Sequence, residues 1–217
     1  MVSNFDFLKK DFPVLSNFGK MAEKYCYSDS NSCLMKLGMI GETIVNLMFT
    51  YDRIAFPHDN TAVARIDTLS REGLLTSDLV TILHGLRKVR NKAVHENYAS
   101  IADDKIFLPM AHSLCEWFMQ TYGDWNYSHR DFVMPEENTV SGTVDKEAEE
   151  KKESELTKLA EQMAAAAPII EQTERKKQAY KAANQRPKTE AETRFLIDEQ
   201  LRMVGWDADT ENLRYSK

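Results

Sequence analysis

Within LRKVRNKAVHE, Leu86 to Glu96, three residues have side chains suited to work on a phosphate. Arg90 is a permanent cation, Asn91 a neutral amide, and His95 an imidazole that titrates near neutrality. Their spacing decides whether they can act together. On a helix advancing about 100° per residue, Asn91 and His95 stand at i and i+4 and share a side, where imidazole can cap carbonyls or act as acid or base. Leu79, Ile82, Leu83, Leu86, Val89 and Ala93 gather in one sector, and Arg90 falls near its middle. An unpaired guanidinium directed at a core is costly, so Arg90 needs a carboxylate partner or a subunit seam. Glu42, the only carboxylate within the apolar stripe of the second helix, is the expected ion-pair partner. Lys88 and Lys92 point away from the core sector, and with Arg87 they are candidate phosphate contacts that position nucleic acid without chemistry.

The elements that must hold these residues are helical, because from about Phe5 to Trp125 no alternation of the kind strands require is found. Val14, Leu15, Phe18, Met21, Ala22 and Tyr25 form one amphipathic stripe, with Pro13 suited to its first turn. Leu34, Leu37, Ile44, Val45, Met48 and Tyr51 form the next. A shorter helix is expected over Asp59 to Arg71, followed by helices over Thr76 to about Glu96 and Ile106 to Tyr122, each bounded by cap residues or glycine. The fold class is therefore mostly α, an antiparallel helical bundle over 1–128. Trp117 and Phe118 fall at core spacing, so they and Tyr122, Trp125 and Tyr127 are not taken as base-stacking platforms.

Beyond the bundle the composition changes. Residues 126–144 mix turn formers with Pro135 and Gly142 and read as a linker. Asp145 to Arg186 carries nine acids and nine bases, with Leu156, Leu159, Met163 and Ile170 in a thin heptad-like seam. That pattern predicts a solvated spacer helix broken at Pro168, so 129–186 is assigned as linker and charged helix. From 187 a new amphipathic helix opens with Thr189 as cap and Glu192 at the third position of a capping box. It stops at Gly205, ahead of what reads as a first strand.

Over 217 residues the formal charge is -6 and the pI about 5.5, which argues against a generally basic nucleic-acid coat but leaves room for a local basic face. Cys26, Cys33 and Cys115 lack C-x-x-C spacing, so neither a disulfide framework nor a zinc knuckle is expected, and a reducing cytoplasm fits. His58, His112 and His129 have no ligand-like spacing, and no metal is assigned. The N-terminal segment carries charges where a signal peptide needs an apolar run, and Lys36 and Glu42 interrupt the most apolar stretch, so neither export nor a membrane span is expected.

Arg90, Asn91 and His95 match the R-N-x-x-x-H form of a motif of the HEPN superfamily, helical-bundle proteins that include metal-independent ribonuclease toxins. With FDFLKKDFPVLSNFGKMAEKYCYSDSNSCLMKLGMIGETIVNLMF, the segment resembles one HEPN-clan branch, a domain of unknown function at the N-terminus of many type I restriction enzyme R subunits. EAETRFLIDEQLRMVGWDADTENLRYSK resembles the opening of the nuclease domain of those subunits. The spacer between the two is similar as well. The resemblance implies a parent that translocates and cleaves DNA with ATP and Mg²⁺, in complex with methyltransferase and specificity subunits. It also implies that Glu192 matches an acidic position of a PD-(D/E)xK nuclease module occupying 187–217 in part. The strands bearing the remaining metal ligands would lie past Lys217, and no G-x-x-x-x-G-K-[ST] loop is present. Neither cofactor is therefore expected on this chain, and capping explains Glu192 equally well.

Two function classes follow. One is an accessory module docking the subunit onto DNA or partner subunits. The other, implied by the HEPN resemblance, is a dimeric ribonuclease in which Arg90 and His95 of two protomers face each other, with Asn91 beside them, and work on the scissile phosphate and the 2′-oxygen.

Overall fold

Proline at the first helical position, where no amide hydrogen is needed, opens α1, Pro13–Tyr25. The Asp29 side chain accepts from Ser32 N–H at 3.1 Å and starts α2, Ser30–Tyr51. Thr61 caps α3, Ala62–Arg71, by accepting from Ala64 N–H at 3.2 Å. α4, Ser77–Glu96, ends at Asn97, whose left-handed φ of 50° turns the chain sharply. Ser100 then caps α5, Ile101–Tyr122, accepting from Asp103 N–H at 3.1 Å. These hydroxyl caps place two helix starts differently from the sequence expectation: α3 begins after Asp59, and α5 begins a full turn before Ile106. Apolar periodicity marks only the buried part of a helix, whereas the cap marks its end.

The computed structural model describes residues 2–137 and 146–206; it is mostly helical, with no strand among the described residues. It divides into two compact units, Met1–Arg186 and Pro187–Lys217. In the first, α2 is the central helix, packed on by α1, α3, α4, α5 and α6. Leu34, Leu37, Ile40, Ile44 and Met48 of α2 are buried, as are Trp117 and Phe118 of α5. Each such side chain contributes about 1.5–3 kcal/mol of hydrophobic stabilisation. By length and composition alone α2 could cross a membrane, yet 61% of its most apolar window is buried by neighbouring helices. Burial of that kind also describes the core helix of a bundle.

α6, Lys146–Ala166, and α7, Gln172–Gln185, pack on the bundle rather than standing in solvent as expected. Leu159 and Met163 of the anticipated seam are exposed, while Glu153, Ala160 and Ala164 are buried. Small side chains let α6 lie close to its neighbours, and charge fixes its position. Lys36 of α2 reaches Glu149 and Glu153, each at 2.6 Å, and Tyr25 donates to Glu149 at 2.8 Å. At the end of α6, Arg53 donates to the last-turn carbonyls of Ala164 at 3.2 Å and Ala165 at 2.5 Å. The helix stops two residues before Pro168, as expected of a residue without an amide hydrogen.

α7 is tied to α5 through its polar groups. Trp117 donates to Ala179 O at 3.0 Å, Gln178 to Gln120 O at 2.7 Å, and Arg175 to Thr121 O. Arg175 also pairs with buried Asp52 at 3.1 Å. Residues 126–137, expected as linker, are strapped down through Glu116 and through Asn4, which bonds Val133 N and O at 2.9 and 2.8 Å. Residues 138–144 of that expected linker lie outside the described residues, as does the strand expected after Gly205.

In the second unit α8, Glu190–Met203, begins where Thr189 Oγ1 accepts from Glu192 N–H at 3.1 Å. Glu192 thus occupies the third position of a capped helix.

Candidate functional site

α4 is pressed onto α2 where α2 carries Gly38 and Gly41. A Cβ at Gly38 would overlap the Cβ, Cγ and Cδ of Arg90, so glycine is what lets the arginine stem lie flat across α2. The other end of the motif is anchored by Asn31 of α2, which donates to Ala93 O at 2.7 Å and Tyr98 O at 2.9 Å. Two bonds from one side chain satisfy backbone at the end of α4 and hold its last turn in place.

The Arg90 guanidinium emerges at the surface. Its Nη1 lies 3.3 Å from Glu42 Oε2, with the two side chains 36% and 43% exposed. Arg90 is thus half-buried: its stem lies against α2 and its head, paired with Glu42, stays open to solvent. At this exposure the ion pair is worth at most about 1 kcal/mol. It holds Arg90 in direction more than it holds the fold together.

A groove of about 340 Å³ opens beside this pair, lined in part by Glu42, Arg65, Arg87, Arg90 and Asn91. Three guanidiniums there face one carboxylate. The Nε atoms of Arg87 and Arg90 are both buried and have no hydrogen-bond partner among the described residues. Arg65, from α3, is braced by Asn46 Oδ1 at 2.6 Å and Asn60 Oδ1 at 2.8 Å, and stacks over Phe56 at 5.1 Å. His84, one turn before Arg87, is shifted down by burial and then by Arg87, which keeps it neutral near pH 7. Such a constellation suits a phosphate or carboxylate oxygen.

The expected site residues fall into two sets. Arg87, Arg90 and Asn91 line the groove with Glu42; His95 is exposed on the last turn of α4, outside the groove lining. Lys88 and Lys92 are exposed, Lys92 lying over the Tyr98 ring at 5.3 Å. Arg65 and Asn46 were missed. Arg65 precedes Leu69 by four residues and so shares the inward face of α3, a signal that the helical spacing carried.

A second polar centre surrounds Glu116, a buried carboxylate on α5. It accepts from Arg130 N–H at 2.8 Å and Tyr127 OH at 3.1 Å and meets His129 Nδ1. Burial raises the carboxyl above its ordinary value, and these partners limit the rise without cancelling it. His112 Nδ1 stands 3.8 Å from the same carboxylate, and its imidazole is pushed down to about 4 by burial and then by His129. Every oxygen of this carboxylate is engaged, so the cluster reads as a clasp holding residues 127–130 on α5.

Comparison with known proteins places the groove within a family. The chain is 26% identical over 270 residues to the type I restriction enzyme EcoKI endonuclease subunit of Escherichia coli (strain K12), in a match covering 99% of this chain and 23% of that protein. The chain thus spans about a quarter of the length of that relative. No solved structure matches. The family described as Domain of unknown function (DUF4145) matches residues 20–158, which take in all of α2 to α5, the whole groove lining and most of α6. The match extends over more than half of the sequence, and the protein belongs to the DUF4145 family.

Proposed function

We propose that this chain is the N-terminal accessory region of a type I restriction endonuclease R subunit, and that its groove between α2, α3 and α4 seats phosphates of DNA. The observation that carries the reading is the groove itself: Arg65, Arg87 and Arg90 converge on one concave surface, and two of their buried Nε atoms have no protein acceptor among the described residues. Phosphate oxygens are the bidentate acceptors that guanidinium forks match best. Glu42 sets Arg90's direction, and exposed Lys88 and Lys92 extend the basic face along α4. The relative is an endonuclease subunit of a type I restriction enzyme, and a role in the same kind of defence system follows by analogy. In such a setting the parent protein moves along and cuts DNA using ATP and Mg²⁺, in the cytoplasm, with methyltransferase and specificity subunits as partners. This region steadies the duplex and reads no sequence.

The test is binding of a labelled duplex to the whole chain as salt is varied. Each phosphate contact contributes roughly 0.9 to the slope of log affinity against log salt. Arg65→Ala and Arg87→Ala should each weaken binding to all sequences alike and flatten the slope by about one. Salt-insensitive binding, or none at low salt, would sink the reading.

A second reading has one observation in its favour. Arg90, Asn91 and His95 are all at least partly open to solvent on one helix end, as a HEPN-type ribonuclease acting as a dimer requires. Structured RNA incubated with the chain in EDTA decides it: cleavage abolished by His95→Ala supports the ribonuclease, and intact RNA at high protein concentration excludes it.

A further inference from the structure

Away from the groove, the ends of three helices bring together residues that the cysteine spacing did not connect. Cys26 caps the end of α1, Cys33 lies at the start of α2, and Asp104 lies in the first turn of α5. All three are buried, and one sulfur from each cysteine and one carboxylate oxygen lie within 4.8 Å of one another. Asp104 is 0% exposed, yet neither of its oxygens has a hydrogen-bond partner among the described residues. Ser30 Oγ and the Cys33 thiol face it and ease its burial without reaching hydrogen-bond geometry. A buried carboxylate without a donor is costly, and burial pushes the Asp104 carboxyl up to about 6.

Two thiols and a carboxylate around one point make a donor set with recognised chemistry. Thiolates select thiophilic divalent cations of the zinc class, and a carboxylate oxygen completes such sets at similar distance. Cys33 and Asp104 stand near the starts of α2 and α5, where the positive helix ends favour negative ligands. The Cys26 contact and burial push the Cys33 thiol up, as burial does the Asp104 carboxyl, so a bound cation is what would hold these groups ionised. Lys105, whose charge also bears on Cys26, adds to the same field. Ser30 Oγ, which accepts from Ser100 N–H at 2.8 Å and neighbours Asp104, offers an oxygen for a fourth position.

We propose that Cys26, Cys33 and Asp104 bind one zinc-class divalent cation that locks the α1–α2 turn to the start of α5. The site is structural. It lies within the segment shared with the family, and it clamps the same end of the bundle as Asn31, two residues before Cys33, which holds the last turn of α4. Cys115, buried alone on α5, takes no part.

The probe is Co²⁺ added to the whole chain, purified reduced and stripped of metal, followed by absorption spectroscopy and competition with Zn²⁺. One equivalent should give the sulfur-to-cobalt charge-transfer band and tetrahedral visible bands, both bleached by Zn²⁺, and should raise the melting temperature. Cys33→Ala should abolish the band. Asp104→Asn keeps the shape and removes the buried charge, so the metal-free variant should melt at or above the parent. Its cobalt affinity should nevertheless fall about tenfold or more, since even outer partners of metal ligands change affinity about 10–100-fold. That opposition separates a ligand from a merely structural carboxylate, and it holds even if the cysteine variant fails to fold. A folded parent without the charge-transfer band, an unchanged affinity in Asp104→Asn, or loss of two thiols in air to a Cys26–Cys33 disulfide that forms equally well in the presence of Zn²⁺ would each overturn the proposal.

Discussion

Asp52 shows how much a single side chain can organise. It accepts from Tyr122 OH at 2.6 Å and pairs with Arg175 at 3.1 Å, and the guanidinium lies over the Tyr122 ring at 4.3 Å. With Thr121 O as a further acceptor, Arg175 is held by an ion pair, a carbonyl and a ring within a site closed to solvent. Replacing Asp52 by alanine strands that cation, and loss of about 3–5 kcal/mol is expected in urea denaturation. His112 behaves oppositely, because it is held neutral. Its value near 4, against an ordinary 6.5, means that the unfolded chain takes up a proton before the folded chain does. Its contribution is full above about pH 6.5 and is lost as pH falls toward 4, by about 1.4 kcal/mol per unit and roughly 3 kcal/mol in all. Glu116, raised by burial, works against this trend, and His129 and Tyr127 face the same carboxylate. The measurement is therefore a comparison: His112→Asn should flatten the acid limb of stability against pH relative to the parent. An equal slope in both proteins would assign the acid sensitivity elsewhere.

Helix α2 meets α4 through glycine, and two effects compete there. Gly38→Ala should gain up to about 1 kcal/mol from helix propensity. The new methyl would collide with the root of the Arg90 side chain rather than its mobile tip, and overpacking of that kind costs about 1–3 kcal/mol. Net destabilisation is expected on thermal melting, together with weaker duplex binding as Arg90 is pushed off the groove wall; a stabilised variant would show that the helices separate freely. This contact explains how far the sequence could be read. The spacing of Leu79, Ile82, Leu83, Leu86 and Val89 was enough to place α4 and to orient Arg90 toward α2. The end of a helix was less legible, since Ser100 begins α5 in a stretch with no apolar period. The spacing of Arg65 and Leu69 put Arg65 on the inward face of α3, but its place in the groove depends on α3 lying across from α4, a tertiary fact that spacing alone does not carry. The same holds for Cys26, Cys33 and Asp104, which are brought together only when three helix ends meet.

At the scale of the molecule, the charged segment that looked like a tether is part of the first unit. α6 and α7 cover α1, α2 and α5 and engage Lys36, Arg53, Asp52 and Trp117. A fragment of residues 1–186 is expected to melt cooperatively, whereas residues 1–137 would leave Trp117 and Asp52 open and should melt earlier and bind a hydrophobic dye. Equal melting of the two fragments would restore the tether view. The alanine face of α6 has a consequence for how relatives can diverge. Where a coiled coil resists polar replacements along its leucines, this helix reverses the rule: Leu159 and Met163 face water and are free to become polar, while Ala160 and Ala164 admit nothing larger. Hydrophobicity is therefore a misleading guide to constraint in this segment. The positions with least room for change are its smallest buried side chains, together with the carboxylates that reach Lys36.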